Sequence, residues 1–453
     1  MALPIQRLNA NLEGDLEYGR RVWSVPFALP GDLVQFQLKQ GKKKSFKVVK
    51  IERADEYPAE LELSDPFCRV FGQCGGCRGQ HLRYDYQLDL KCAPVESQMK
   101  ALCGIQPVRI AAPRDRAHRH RMDFAINGSV IGQRPAGDFR SFVDIEECAV
   151  QSPMANHCLQ LIRSLLSEKP QLAFNRSENQ GILKYCTIRT GFESGVIILN
   201  ALQEHHADPE LQNWLETVAA RLQNELPQVS LLLCQSDAQS ENSVTEDAAL
   251  IYGRLDYTEK LGGIEFSVPY NSFFQPNPPA FDLLLDSVLP QLHQILDSGA
   301  IQSRLMLDLY CGSGVLSRII SQRCQGAFTK IQGLELVPAA IQSAPTNQIL
   351  PPEQLDFRVV DLNSSAGIAA IQPAGKPGLL VMDPPRPGIH KDLAAWIINT
   401  LQPECILYIS CNPQTQIRDL ALLQERYKAV HASLCDCYPQ TAHLEQAVIL
   451  LPR

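Results

Sequence analysis

Over residues 1–60 apolar and polar positions alternate in short runs broken at Gly14, Gly19, Pro30-Gly31 and Gly41. A period of two with glycine breaks predicts the strands of a small β-barrel. From about 150 to 270 helical spacing near 153–168 and 208–224 alternates with strand-like runs at 185–188 and 195–199, and the polar stretch 235–247 reads as a loop. The last part of the chain is more regular. A helix-like stretch at 278–296 precedes apolar runs at 304–308, 331–336, 355–361, 378–383 and 405–411, most ending in a polar residue, with helical patterns at 315–324 and 415–427. Alternating β and α units imply a mainly parallel sheet with helices on both faces. The expected fold is therefore α/β, with a Rossmann-like doubly wound domain at 271–453, a central α+β domain at 63–270 and an N-terminal OB-like β-barrel at 1–62.

In open α/β sheets, ligands bind in the crevice outside the strand carboxyl ends. Asp308, Glu335, Asp361, Asp383 and Cys411 all fall at or near such ends and should share one rim. Cys411 closes an apolar run that Asn412-Pro413 ends abruptly. Alone, it would read as a buried packing cysteine. The closing runs 429–437 and 444–451, joined by 438–443, predict a hairpin that hangs Glu445 over the same rim.

Length and charge narrow the picture. A chain of 453 residues exceeds one compact core. A net charge of -7 offers no general attraction to nucleic acid, so any basic footprint must be local. No apolar run approaches the ~20 residues that span a bilayer, and residues 1–15 lack the charged start and apolar core of a signal peptide. A cytoplasmic protein without a membrane partner is expected. Fifteen cysteines, an odd number, fit metal ligands, a nucleophile and packing residues in a reducing compartment better than a disulfide framework.

Two basic clusters stand out. Lys42, Lys43, Lys44, Lys47 and Lys50 flank Phe46, which suits a phosphate-tracking loop and a solvated hairpin tip equally. Arg114, Arg116, His118, Arg119, His120, Arg121, Arg134 and Arg140 are interleaved with Phe124, Phe139 and Phe142, a composition suited to an RNA-facing strand. His118 and His120 read first as surface or packing residues, and second as metal or pH-sensing groups.

Between the two clusters, Cys68, Cys74 and Cys77 form a C-x5-C-x2-C set around Gly75-Gly76, whose tight turn can present several thiolates to one centre. A fourth ligand is needed. Cys148 is the choice, with Cys92, Cys103 and Cys158 as competitors, and both zinc and an iron-sulfur cluster accept four thiolates.

Gly312-Ser313-Gly314 between a strand and a helix lets backbone approach a ligand, and Glu335 is placed to accept hydrogen bonds from ribose hydroxyls. Ser317 stands where a dinucleotide fingerprint needs glycine, which favours a nucleoside without phosphates, S-adenosylmethionine. Asp383-Pro384-Pro385-Arg386-Pro387-Gly388 is a rigid turn that fixes Asp383 beside a planar target.

These motifs resemble those of the RNA uracil-5-methyltransferase family, specifically its branch with an N-terminal TRAM barrel and a four-cysteine iron-sulfur cluster that acts on 23S ribosomal RNA. The resemblance spans nearly the whole chain. Its carriers are Cys68, Cys74 and Cys77 with Gln80-His81-Leu82 and Tyr84, then Cys148, Phe273-Phe274-Gln275-Pro276-Asn277 and Asp308-Leu309-Tyr310-Cys311-Gly312. Asp383-Pro384-Pro385-Arg386, Ser410-Cys411-Asn412-Pro413 with Thr415, Arg418 and Asp419, and His443-Leu444-Glu445 complete them. The segment 23–27 departs most from the pattern. The resemblance implies a [4Fe-4S] cluster on Cys68, Cys74, Cys77 and Cys148. It implies S-adenosylmethionine held by Gln275, Tyr310, Glu335, Asp361 and Asp383, with Cys411 as nucleophile and Glu445 as base. It also implies a TRAM unit, a central iron-sulfur and RNA-binding unit and a methyltransferase domain in a monomer.

Three alternatives remain: a transfer-RNA enzyme acting on the T-loop uridine, an amino-methyltransferase, and a non-catalytic RNA-binding protein with a metal site. The second would place an aromatic where Arg386 stands and needs no nucleophilic cysteine. The third needs neither Cys411 nor Glu445.

Overall fold

The computed structural model describes residues 2–39, 45–58, 60–138 and 140–453. At the N-terminus the period-two pattern forms two three-stranded antiparallel sheets. One comprises Ala2–Pro4, Leu33–Lys39 and Ser45–Glu52, the other Arg7–Leu8, Gly14–Tyr18 and Arg21–Val25. Leu16, Val25 and Val34 turn inward with Ile5 and Ala28 onto one small core. Fully buried Asp32 ties the following chain to it, accepting from the Leu29 and Ala54 N–H groups at 2.8 and 3.1 Å and from the Tyr57 hydroxyl at 2.7 Å. Lys42, Lys43, Lys44 and Phe139 of the two basic clusters lie outside the described residues.

The central sheet has seven strands in the order Val143–Asp144, Val130–Gln133, Arg121–Asn127, Leu183–Thr190, Gly195–Leu202, Val229–Ser236, Ala248–Tyr252. Helices Pro153–Ser167 and Pro209–Glu225 cover one face. Each begins at an N-cap: the Ser152 hydroxyl accepts from the Ala155 N–H at 3.2 Å, the Asp208 carboxylate from that of Glu210 at 2.8 Å, and proline follows at the first position. Alternate residues of Gly195–Leu202 explain its unbroken apolar run. Ile197 and Leu199 face the helices, while Val196 and Ile198 face the hairpin Asp256–Leu261/Ile264–Pro269 and helix Pro278–Asp297.

The C-terminal sheet has eight strands in the order Leu355–Val359, Lys330–Glu335, Leu305–Leu309, Leu379–Met382, Cys405–Ser410, Glu445–Pro452, Tyr427–Cys435, Val108–Ile110. The first five are mutually parallel, as the repeated β and α pattern predicts, and Glu445–Pro452 runs antiparallel to both its neighbours.

One segment departs from the expected division. Helix Tyr84–Cys103 and strand Val108–Ile110 fall inside the span 63–270 read as the central unit, yet they pack on the C-terminal one. Cys92, Val95 and Met99 join the core of Leu307, Tyr408 and Leu434, and Val108–Ile110 pairs in parallel with Tyr427–Cys435. A three-residue strand carries no local signal of which sheet it will join. The fully buried Lys91 of this helix forms an ion pair with the equally buried Asp436 at 2.6 Å. Removing one partner from such a pair costs about 3–5 kcal/mol, because the other charge is left uncompensated. Among the described residues no helix is long and apolar enough to cross a membrane.

Candidate active site

The chain leaves Leu305–Leu309 for Lys330–Glu335 on one side, and Leu379–Met382 later takes the other side. Strand order reverses at that point, so a crevice opens outside the carboxyl ends. The turn after Leu309 is left-handed at Tyr310, Gly312 and Gly314, with φ of 61°, 52° and 74°. Glycine adopts this freely, but at Tyr310 it costs on the order of 1–3 kcal/mol, strain of the kind found at functional sites. A Cβ at Gly314 would come within 2.5 Å of Gln348 Nε2. Glu335, on the next strand, accepts from the N–H of Gly312 at 3.2 Å and from those of Leu336 and Val337 at 2.7 and 3.0 Å.

Beneath this turn lies a pocket walled by Phe273, Phe274, Gln275, Tyr310, Gly312 and Asp383, among others. Gln275 Oε1 is buried without a partner among the described residues, leaving a free acceptor in the wall beside Phe273 and Phe274. Asp308, below the turn, receives the Ser317 hydroxyl, and burial pushes its carboxyl up to about 7. Asp383 is likewise pushed up to about 7, by burial first and then by the charge of Asp308. The expected set thus divides: Gln275, Tyr310 and Asp383 wall the pocket, Glu335 braces its glycine turn, and Asp361 sits outside the wall, where it accepts from the Asn363 N–H at 2.9 Å.

Cys405–Ser410 is buried on both faces between Leu379–Met382 and Glu445–Pro452. Ser410 pairs with Gln446, so the next residues outward, Cys411 and Glu445, face each other at the rim. Asn412 Nδ2 and the Thr415 hydroxyl each donate to the Arg386 carbonyl at 3.1 Å, and Arg418 Nη2 donates to that of Pro387 at 2.8 Å. Asp419 accepts from the Ile389 N–H at 2.9 Å and from the Tyr408 hydroxyl at 2.6 Å. The residues around Cys411 therefore fix the turn that carries Asp383. Burial, with the charges of Glu445 and Asp383, pushes the Cys411 thiol up to about 11, and Arg386 acts against them. Burial and Asp383 raise Glu445 well above the usual carboxylate range, opposed by the Tyr438 hydroxyl and Arg386.

Sequence reasoning missed Tyr438, which it read as part of a connecting segment. Its hydroxyl donates to Glu445 Oε1 at 2.9 Å. No periodicity marks such a residue; the available signal was its place seven positions before a candidate base in a tight hairpin.

Cys68, Cys74, Cys77 and Cys148 line a second pocket. Gly75 donates to the Arg134 carbonyl at 2.9 Å, and a Cβ there would lie 2.9 Å from that same oxygen, so only glycine lets the loop approach. Burial, reinforced by the neighbouring cysteines, pushes the Cys77 thiol up to about 12 and that of Cys148 up to about 11. The competitors lie in apolar cores elsewhere, Cys92 and Cys103 with the C-terminal unit and Cys158 under the central sheet. Among the described residues no group of three or more His, Cys, Asp or Glu side chains is arranged to hold a metal ion.

Much of the arginine-rich stretch is committed to internal partners. The Arg116 guanidinium lies 4.0 Å over the Phe67 ring, Arg121 pairs with Asp123 at 3.1 Å and Arg134 with Glu241 at 2.5 Å. His118 is buried, which pushes it down to about 3, and His120 Nδ1 lies 2.8 Å from Glu259.

Comparison with known proteins fits this geometry. The tRNA (Uracil-5-)-methyltransferase family matches residues 376–453, the stretch that contains Asp383, Cys411 and Glu445. An uncharacterized RNA methyltransferase of Leptospira interrogans is 32% identical, over 98% of this chain and 96% of its own. A tRNA (uracil(54)-C(5))-methyltransferase of Pyrococcus horikoshii is 29% identical, over 94% and 95%. The crystal structure of the Pyrococcus abyssi tRNA (uracil-54, C5)-methyltransferase in complex with S-adenosyl-L-homocysteine shares the fold over 100% of both chains, with a TM-score of 0.72 at 24% identity. With a relative this similar along nearly its whole length, the chain belongs to the S-adenosylmethionine-dependent RNA methyltransferases.

Proposed function

We propose that the protein methylates C5 of a uridine in RNA through a covalent bond between Cys411 and C6 of the base. The observation that carries this reading is the register Ser410↔Gln446, which sets Cys411 opposite Glu445 beside the pocket walled by Gln275, Tyr310 and Asp383. S-adenosylmethionine, when bound, supplies a methyl group on a sulfonium sulfur. The free acceptor on Gln275, the glycine turn and the braced Glu335 carboxylate fit its polar groups, and the surrounding aromatic wall fits its adenine.

Uracil C5 is a weak nucleophile. Addition of the Cys411 thiolate at C6 forms the S–C6 bond and moves the C5–C6 electron pair toward C5 and the O4 carbonyl, which gives C5 the electron density it needs to accept the methyl group. Glu445 then takes the remaining C5 proton. The C–H pair restores the C5–C6 double bond as the C6–S bond breaks, returning Cys411 as thiolate. Because burial holds the thiol at about 11, forming the thiolate is uphill at neutral pH, and Arg386 is the nearby charge that favours it.

Cys68, Cys74, Cys77 and Cys148, which line one pocket, would hold a [4Fe-4S] cluster as its four thiolate ligands. The role read for it is structural, since this transfer needs no redox step. Cys148→Ala is expected to lower the iron and acid-labile sulfide bound to the purified protein; unchanged iron content would refute the assignment. In the same reading, residues 1–62 form the TRAM unit, and the catalytic unit is 271–453 together with 84–110, acting as a monomer.

For the RNA, the motif set supports 23S ribosomal RNA. The end-to-end alignment with a tRNA (uracil-54) enzyme favours a second reading, the T-loop uridine. The purified protein, labelled S-adenosylmethionine and total RNA from a strain lacking the gene decide between them. Labelled 5-methyluridine in large ribosomal RNA is expected; the same label in transfer RNA would carry the second reading, and no labelled 5-methyluridine would refute both.

A further inference from the structure

The segment 438–443 is held from several sides. Asp436 Oδ1 accepts the Tyr438 N–H at 3.1 Å while its other oxygen pairs with Lys91. The Gln440 carbonyl accepts from the N–H groups of Arg78 and Gly79 at 2.6 and 3.2 Å, and its side-chain oxygen accepts from Gln87 at 3.0 Å. The Tyr438 ring meets His443 edge-on, centroids 5.9 Å apart at 81°. So fixed, its hydroxyl reaches Glu445 Oε1 at 2.9 Å. Asp383 and Arg386 face Glu445 from the proline turn, Cys411 from the neighbouring strand, and Cys437 and Tyr438 from its own hairpin. Among the described residues, Tyr438 is the side chain that hydrogen-bonds it.

We propose that Tyr438 is a positioning residue for proton removal, its hydroxyl holding the Glu445 carboxylate ionised and aimed at C5. This rests on the reading of Glu445 as the base. A phenolic O–H donated to a carboxylate favours the charged form. A phenyl ring in its place would leave that buried oxygen unpaired and free to turn. The sign follows: losing the donor raises the Glu445 pKa, so the acid limb of the release step moves to higher pH.

The test follows adduct formation and release of methylated RNA separately in single turnovers across pH, for the wild type, Tyr438→Phe and Glu445→Gln. For Tyr438→Phe, adduct should form at the wild-type rate. Release at neutral pH should slow about tenfold, with its acid limb displaced upward by about one unit, so that release recovers at higher pH. Site-specific 3-fluorotyrosine at position 438, a stronger donor of nearly the same shape, should move the limb downward. A Tyr438→Phe profile that superimposes on the wild type overturns the proposal. So does an equal loss of adduct formation and release with the limb unmoved, the mark of a merely structural role, or a limb that fluorotyrosine does not shift. Normal release by Glu445→Gln would instead overturn the assignment of the base, and this proposal with it.

Discussion

Cys411→Ala is expected to bring methyl transfer to RNA below about one part in 10^4 of the wild-type rate while leaving S-adenosylmethionine affinity unchanged. The separation of the two effects is built into the sheet. The pocket wall comes from Phe273–Gln275, the Tyr310 turn and Asp383, whereas Cys411 ends the adjacent strand and is only partly buried. Cys411 lies outside the fully buried core of Tyr408 and Ile409, so removing its sulfur should change stability little. Without the thiolate, C5 stays too electron-poor to take the methyl group, and the nearby Cys435 and Cys437 are fully buried. Calorimetric titration of the methyl donor and counting of labelled RNA measure the two quantities. Turnover at even a few per cent of the wild type would refute the nucleophile assignment.

Glu445→Gln should stop the cycle one step later. The amide keeps the shape of the side chain and can still accept from the Tyr438 hydroxyl, so thiol addition and methyl transfer proceed. It cannot take the C5 proton, and loss of a general base slows that step by about 10^2–10^4-fold. The methylated RNA therefore stays bonded to Cys411, and a protein–RNA band that survives denaturing electrophoresis should accumulate, one label per protein. Burial and Asp383 hold Glu445 mostly protonated at low pH, so the wild type should drift toward the same stalled state as pH falls and recover as it rises. Normal multiple turnover by the variant would assign the base elsewhere.

The parts of this site legible in the sequence are those where chemistry coincides with a strand end. Buried parallel strands appear as short apolar runs, so Asp308, Glu335, Asp361, Asp383 and Cys411 could be placed at or near strand ends from pattern alone; the eight-stranded sheet puts all five there, but Asp361 falls outside the pocket wall. Glu445 followed because a closing hairpin is itself a local pattern, although its first strand begins at Tyr427 and the second at Glu445 rather than at 429 and 444. Illegible were the contacts between residues far apart in the chain. Lys91 reads as an ordinary helix lysine until Asp436 is seen beside it, and Tyr438 as a connector until its hydroxyl is found on Glu445. Within the arginine-rich stretch, Arg121 finds Asp123 two residues on, whereas Glu241, the partner of Arg134, is brought there by the fold.

The edge strand Val108–Ile110 and its helix Tyr84–Cys103 give the catalytic sheet a history as well as a geometry. During synthesis they emerge before most of the chain that will cover them. Cys92, Val95, Met99 and the Lys91 charge find partners in the last hairpin, so the C-terminal unit closes around a segment made early. A fragment beginning at residue 271 would meet the opposite problem. It would present Tyr427–Cys435 as a bare edge, a template for pairing with other chains, and bury Asp436 with no cation. The C-terminal unit is thus contiguous in space but not in sequence, and it cannot be moved between proteins as a single C-terminal cassette.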